Sequence, residues 1–170
     1  DLHSFPTRRS SDLKKGSLIG IDLQGFIRTK NKKNKLINSS WKEKKEALSL
    51  THYLKADGVE AEFLTGESDL ISAAKILKSY GPKEVIITHK DGVLVYDGEN
   101  IYQEKFILDK IIGRSGRGDT CGASYVYMRL TLDPSESIKW AAAATSLKME
   151  SDTPLKRTKL EIENRVGQYK

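Results

Sequence analysis

With 170 residues, 38% of them hydrophobic and 31% charged, the chain has the size and balance of one globular domain rather than a disordered or fibrous segment. Its formal charge of +6 raises nucleic acid as a partner, but the lysines are scattered. The densest cluster (Lys30, Lys32, Lys33, Lys35) has no aromatic residues interleaved for base stacking and reads as a solvated connection. No apolar run is long enough to span a bilayer, and a single cysteine, Cys121, excludes an intramolecular disulfide and fits a reducing cytoplasm.

Residues 1–13 (DLHSFPTRRSSDL) lack periodicity and match the conceptual translation of a common sequencing adapter, so they are set apart from fold reasoning and 14–170 is taken as the domain. Residues 17–23 (SLIGIDL) predict a buried strand, followed by a polar stretch. Residues 41–50 predict an exposed helix, 51–56 a short strand broken by Asp57-Gly58, and 59–64 one or two helical turns ending at Gly66. Ser68 is the expected cap of an amphipathic helix whose inner face carries Leu70, Ala73, Ala74, Leu77 and Tyr80, stopped by Gly81-Pro82.

Residues 84–88 (EVIIT) read as a strand buried on both faces of a parallel sheet. Residues 92–96 and 101–107 are close enough to follow it as an antiparallel meander. A glycine-rich stretch, 113–118, leads into a helix over about 119–130. Asp133-Pro134-Ser135 starts another helix through Met149, and 158–166 closes the chain. Strands alternating with helices, then a helical end, predict a three-layer α/β domain.

The chemistry concentrates in 112–125, IGRSGRGDTCGASY. Gly113, Gly116 and Gly118 allow successive amides to point into one concavity, and the helix N-terminus adds positive potential there. Asp119 in the helix's first turn can accept a proton from a substrate hydroxyl. Spacing alone leaves open a plain N-cap and a plain loop, and no Gly-Lys-Ser/Thr follows to make a Walker A loop.

GRGDTCGASY resembles the GAGD signature of PfkB-family, ribokinase-like carbohydrate kinases. The resemblance implies that Gly116 and Gly118 form the anion hole, that Arg117 replaces the usual alanine, and that Asp119 is the catalytic base. YLKADGVEAEFLTG is similar to the family's N-x-x-E segment, which implies magnesium and phosphate roles for Asp57 and Glu60. VIITHKDGVLVYDG resembles the nucleotide-binding strand and turn, placing Thr88 and Gly92 near ATP. WAAAATSLKMES resembles the helix beside the adenine pocket, bringing Thr145 or Lys148 toward it; core packing accounts for most of its alanines.

The resemblance covers residues 18 onward, and IDLQGFIR with GRSGRGDTC is most similar to the myo-inositol kinase and archaeal nucleoside kinase branch. It implies Mg-ATP-dependent phosphorylation of a sugar, cyclitol or nucleoside hydroxyl, with a homodimer as one possible assembly of the full-length enzyme. It also implies that an N-terminal half, with a glycine-pair substrate site and a lid, is missing. The 170 residues alone are then expected to bind nucleotide weakly and to turn over little. Two other readings remain: a pyridoxal or hydroxymethylpyrimidine kinase relative, and a non-catalytic basic binding module on the same fold.

Overall fold

The structure is a computed structural model that describes residues 16–169, so the adapter-like residues 1–13 lie outside it. The chain opens with strand β1 (Gly20–Asp22), a single turn α1 (Gln24–Ile27), and a ribbon of β2 (Arg28–Lys30) and β3 (Leu36–Asn38). There follow α2 (Lys44–Ser49), β4 (Tyr53–Asp57), α3 (Gly58–Thr65) and α4 (Leu70–Ser79). The second part contains β5 (Glu84–Thr88), β6 (Gly92–Tyr96), β7 (Ile101–Lys105), α5 (Arg117–Met128), α6 (Pro134–Met149) and α7 (Lys159–Val166).

The main sheet has the order β1-β4-β5-β6-β7, with β1, β4 and β5 parallel and β6 and β7 antiparallel to their neighbours. Alternate residues of its strands face two helical layers. Leu54, Ala56, Val85, Ile87 and Leu94 pack with Ala47 and Leu48 of α2, Ala61 of α3 and Ala73, Ala74 and Leu77 of α4. Tyr53, Ile86, Val93 and Val95 pack with Cys121 and Tyr125 of α5 and with Ile138 and the alanines of α6. Burial on both faces is why β5 reads with so little alternation. Each buried aliphatic side chain contributes about 1.5–3 kcal/mol before chain entropy is counted. The three-layer α/β expectation is met.

Several boundaries differ from expectation for local reasons. Residues 28–38 form the β2–β3 ribbon where a plain polar connection was expected; Asn31 Oδ1 accepts from the amides of Lys33 and Lys35, and Asn34 takes a left-handed φ of 56°. Trp41 lies outside α2, buried and stacked on Phe26 with ring centroids 4.5 Å apart. Strand β4 runs through Asp57, which also caps α3. Asp69, not Ser68, caps α4, its carboxylate accepting from the Ser72 amide at 2.8 Å. Helix α5 begins two residues earlier than expected.

A polar cluster fixes the far end of α5. Glu84 at the start of β5 accepts from the Tyr125 hydroxyl at 2.6 Å and from Nε and Nη2 of Arg129, the latter at 2.8 Å. Burial, followed by the Glu84 hydrogen bond and charge, pushes the Tyr125 hydroxyl's pKa far up, so it remains a donor. Arg129→Met leaves a mostly buried carboxylate with one neutral donor. Urea denaturation is expected to give a loss of about 2–3 kcal/mol, whereas a change below about 0.5 kcal/mol would show the cluster to be dispensable.

Candidate active site

The carboxyl ends of the parallel strands meet the N-terminus of α5, the usual place for a ligand crevice in an open α/β sheet. Register places Asp22 beside Lys55 and Asp57 beside Thr88. Opposite them, Gly116 caps α5 at φ 75°, ψ 7°, a left-handed conformation suited to glycine. The Arg117 amide is used within the turn, donating to the Arg114 carbonyl. Among the described residues the amides of Gly118 and Asp119 have no acceptor, so these two, rather than Arg117's, are the donors open to a ligand. They supply the positive end of the helix to any anion seated there.

Three adjoining clefts surround this turn. The first, about 330 Å³, is mainly apolar and lies between α5 and the β1 edge, lined by Ile21, Asp22, Tyr53, Ile86, Gly122 and Val126 among others. The second, about 390 Å³, is polar and takes in Arg28, Asp57, Thr88, Arg114, Arg117 and the glycine turn. The third, also about 390 Å³, extends past Thr88 to His89 and Lys90 and shares Arg114 and Arg117 with the second. Asp119 is exposed and lines both the first and the second cleft. A larger groove of about 490 Å³ between α5, α6 and α7 is apolar and has no carboxylate in its lining.

Lys55 is 8% exposed and stands on the α5 side of β4. Its Nζ lies 3.0 Å from Asp22 Oδ2. A Cβ placed on Gly118 would fall 2.6 Å from that Nζ, and one on Gly122 would fall 3.3 Å from its Cγ. Two glycines one helical turn apart therefore leave the space that the lysine fills. Neither Lys55 nor Asp22 was a candidate from the sequence. The available signal was a lysine within an otherwise apolar buried strand.

Asp57 and Glu60 form a reciprocal cap: Asp57 Oδ1 accepts from the Glu60 amide and Glu60 Oε2 from the Asp57 amide, both at 2.8 Å. Glu60 Oε1 is buried without a hydrogen bond, 3.5 Å from the Arg28 guanidinium, while Asp57 Oδ2 lies 3.9 Å from it. Burial raises the Glu60 pKa, with the Asp57 backbone hydrogen bond opposing. Asp57 lines the second and third clefts and Glu60 lies buried beside it with one oxygen lacking a hydrogen bond, a hard-oxygen pair of the kind that suits a magnesium ion held partly through water and phosphate.

The remaining expected residues divide. Thr88 lines the second and third clefts, and its hydroxyl lies 3.4 Å from the Ala56 carbonyl. Arg117, whose direction the sequence left open, lines both clefts. Gly92 is not brought to the site: it is buried in β6, where a Cβ would lie 2.2 Å from the Glu104 carbonyl, so its smallness serves the approach of β7. Thr145 is fully buried and its hydroxyl donates to the Ala141 carbonyl at 2.6 Å. Lys148, 3% exposed, donates to the Ser151 carbonyl and packs beneath Gly116. It supports the turn from below rather than facing a nucleotide. Cys121 is buried, its thiol pKa pushed up to about 11 by desolvation, and serves packing. The His89 pKa is lowered, chiefly by burial, with the Asp91 charge opposing and Arg117 adding to the shift.

Residues 24–155 match the model of the pfkB family of carbohydrate kinases. A comparison with curated proteins finds no match. Among solved structures, a pyrophosphate-dependent kinase in the ribokinase family complexed with a pyrophosphate analog and myo-inositol is 36% identical, with a TM-score of 0.79 over 86% of this chain and 53% of that one. A sulfate complex of a pyrophosphate-dependent kinase in the ribokinase family gives 35% identity and a TM-score of 0.81 over 93% and 56%. A ribokinase of Arabidopsis thaliana complexed with ribose and ATP gives 21% and 0.66 over 72% and 43%, a likeness of fold. The chain thus spans little more than half the length of the first two. Fold, glycine turn and family match agree: the chain belongs to the pfkB family of carbohydrate kinases.

Proposed function

We propose that the protein carrying this chain transfers a phosphoryl group from a polyphosphate donor to a hydroxyl of a cyclitol such as myo-inositol, or of a similar sugar, with Asp119 as the base. The observation that carries this reading is the position of the Asp119 carboxylate, exposed at the border of two clefts and beside two amides with no acceptor among the described residues. The acceptor occupies the first cleft and the donor the second. Asp119 takes the proton of the acceptor hydroxyl as its oxygen bonds to the terminal phosphorus. The bridging P–O bond breaks with its electron pair going to the leaving phosphate, and the Gly118 and Asp119 amides hold the oxygens of the moving group. Asp57 and Glu60 would hold magnesium, whose charge would offset that of the donor.

ATP is the donor implied by the family resemblance, but pyrophosphate is the donor we favour for this chain. The structures at 35–36% identity are of pyrophosphate-dependent kinases, whereas the ribokinase complexed with ATP is 21% identical and speaks only for the fold. Arg114 and Arg117 line two adjoining clefts, with Lys90 in the second of them, which suits a compact polyanion.

The complete protein is expected to phosphorylate myo-inositol faster with Mg-pyrophosphate than with Mg-ATP, read as product formation by phosphorus NMR; a preference for ATP would restore the nucleotide donor. Asp119→Asn should lower kcat by about 10²–10⁴-fold while leaving donor binding within a few-fold. Turnover near that of the parent would remove Asp119 as the base.

A further inference from the structure

The two clefts that the phosphoryl group must pass between share only three lining residues: Lys55, Gly118 and Asp119. Asp119 is read as the base and Gly118 as an amide donor, which leaves the lysine without a role. Its position is not that of an ordinary surface lysine. The stem runs buried across the faces of Gly118 and Gly122, and the ammonium stops at Asp22 Oδ2, 3.0 Å away. Arg28, Arg114 and Arg117 line the second cleft but not the first.

We propose that Lys55 is a catalytic residue of the phosphoryl transfer, its ammonium meeting the oxygens of the moving group, and that Asp22 is a positioning residue that holds it beforehand. The inference rests on the proposed function and adds to it a third partner for the phosphoryl oxygens, beside the two amides. No bond to Lys55 forms or breaks. Its charge opposes the negative charge that shifts across the phosphoryl oxygens as the bridging bond lengthens. A fixed ammonium costs little reorganisation during the step, and the ion pair with Asp22 supplies that fixation. Asp22 and phosphate then compete for the same ammonium.

That competition gives the two residues opposite signs on one measurement, which a shared structural role would not. In the complete protein, calorimetric titration with inorganic pyrophosphate and magnesium should show binding weakened about tenfold or more in Lys55→Met. In Asp22→Asn it should be tightened a few-fold. Turnover should fall about 10²-fold or more in Lys55→Met, with the acceptor KM changed far less. Lys55→Met within about threefold of the parent kcat would overturn the proposal, as would a shift of pyrophosphate affinity in the same direction for both variants. Should Lys55→Met fail to fold, Asp22→Asn decides, since Asp22 is partly exposed and the lysine remains; unchanged or weaker binding there overturns it. A parent protein that neither binds nor uses pyrophosphate or ATP would instead sink the proposed function itself.

Discussion

The close approach of α5 to β4 sets the other distances in the site. A helix can come this near a strand only where its facing residues are small, and Gly118 and Gly122 provide that stretch. Below them Cys121 and Tyr125 turn the same helix into the apolar layer against Tyr53 and Ile86. The first turn thus hovers over polar strand ends while the next two turns are anchored in core. The Glu84–Arg129–Tyr125 cluster then fixes the helix against sliding along its own axis. Hydrogen-bond geometry to a phosphoryl group tolerates only a few tenths of an ångström, so rigidity remote from the cleft bears on the chemistry within it.

The charges of the cleft have a similar logic. Asp57 and Asp119 line the second cleft with Lys55, Arg28, Arg114 and Arg117, while Asp22 pairs with Lys55 and the buried Glu60 lies 3.5 Å from Arg28. Balanced charges of this kind keep the empty site from repelling itself. On the proposed function, an arriving polyphosphate would compete with the carboxylates for the cations, and a divalent ion would help to restore balance. Burial adds to this at Glu60, whose carboxyl is pushed above its ordinary range by desolvation. Neutralising cations beside it would favour its charged form.

The parts of the fold visible in the sequence are those where local preference and tertiary demand coincide. Residues 85–87 are apolar because both faces are covered, and α6 begins at Asp133-Pro134 because cap and first-turn proline act without outside help. The β2–β3 ribbon was not visible. Apart from Leu36 and Ile37, both exposed, its residues are polar and lack alternation, and its pairing depends on an asparagine turn rather than on a buried face. Asp119 and the glycine turn could be singled out as candidates because the residues concerned lie within a few consecutive positions. Lys55 was not, because what makes it notable is a glycine pair more than sixty positions later in the chain. Thr145 and Lys148 were overread for the converse reason: their helix is near the site, but position along α6 points both into the interior.

Arg117 shows how one substitution within a familiar turn can redirect a site. Its amide is consumed by the turn, donating to Arg114, so whatever it adds must come from the guanidinium. That side chain lines the second and third clefts together with Arg114. In phosphoryl transfer, negative charge moves from the transferred group onto the leaving one, and cations placed beyond the bridging oxygen favour that movement. A nucleotide leaving group spreads its binding over base, sugar and phosphates, whereas inorganic phosphate offers nothing except oxygens. Forked guanidinium groups match those oxygens in number and geometry. On the proposed function, an alanine at this position would leave the leaving group dependent on contacts farther out, whereas an arginine would let the turn itself hold a smaller donor.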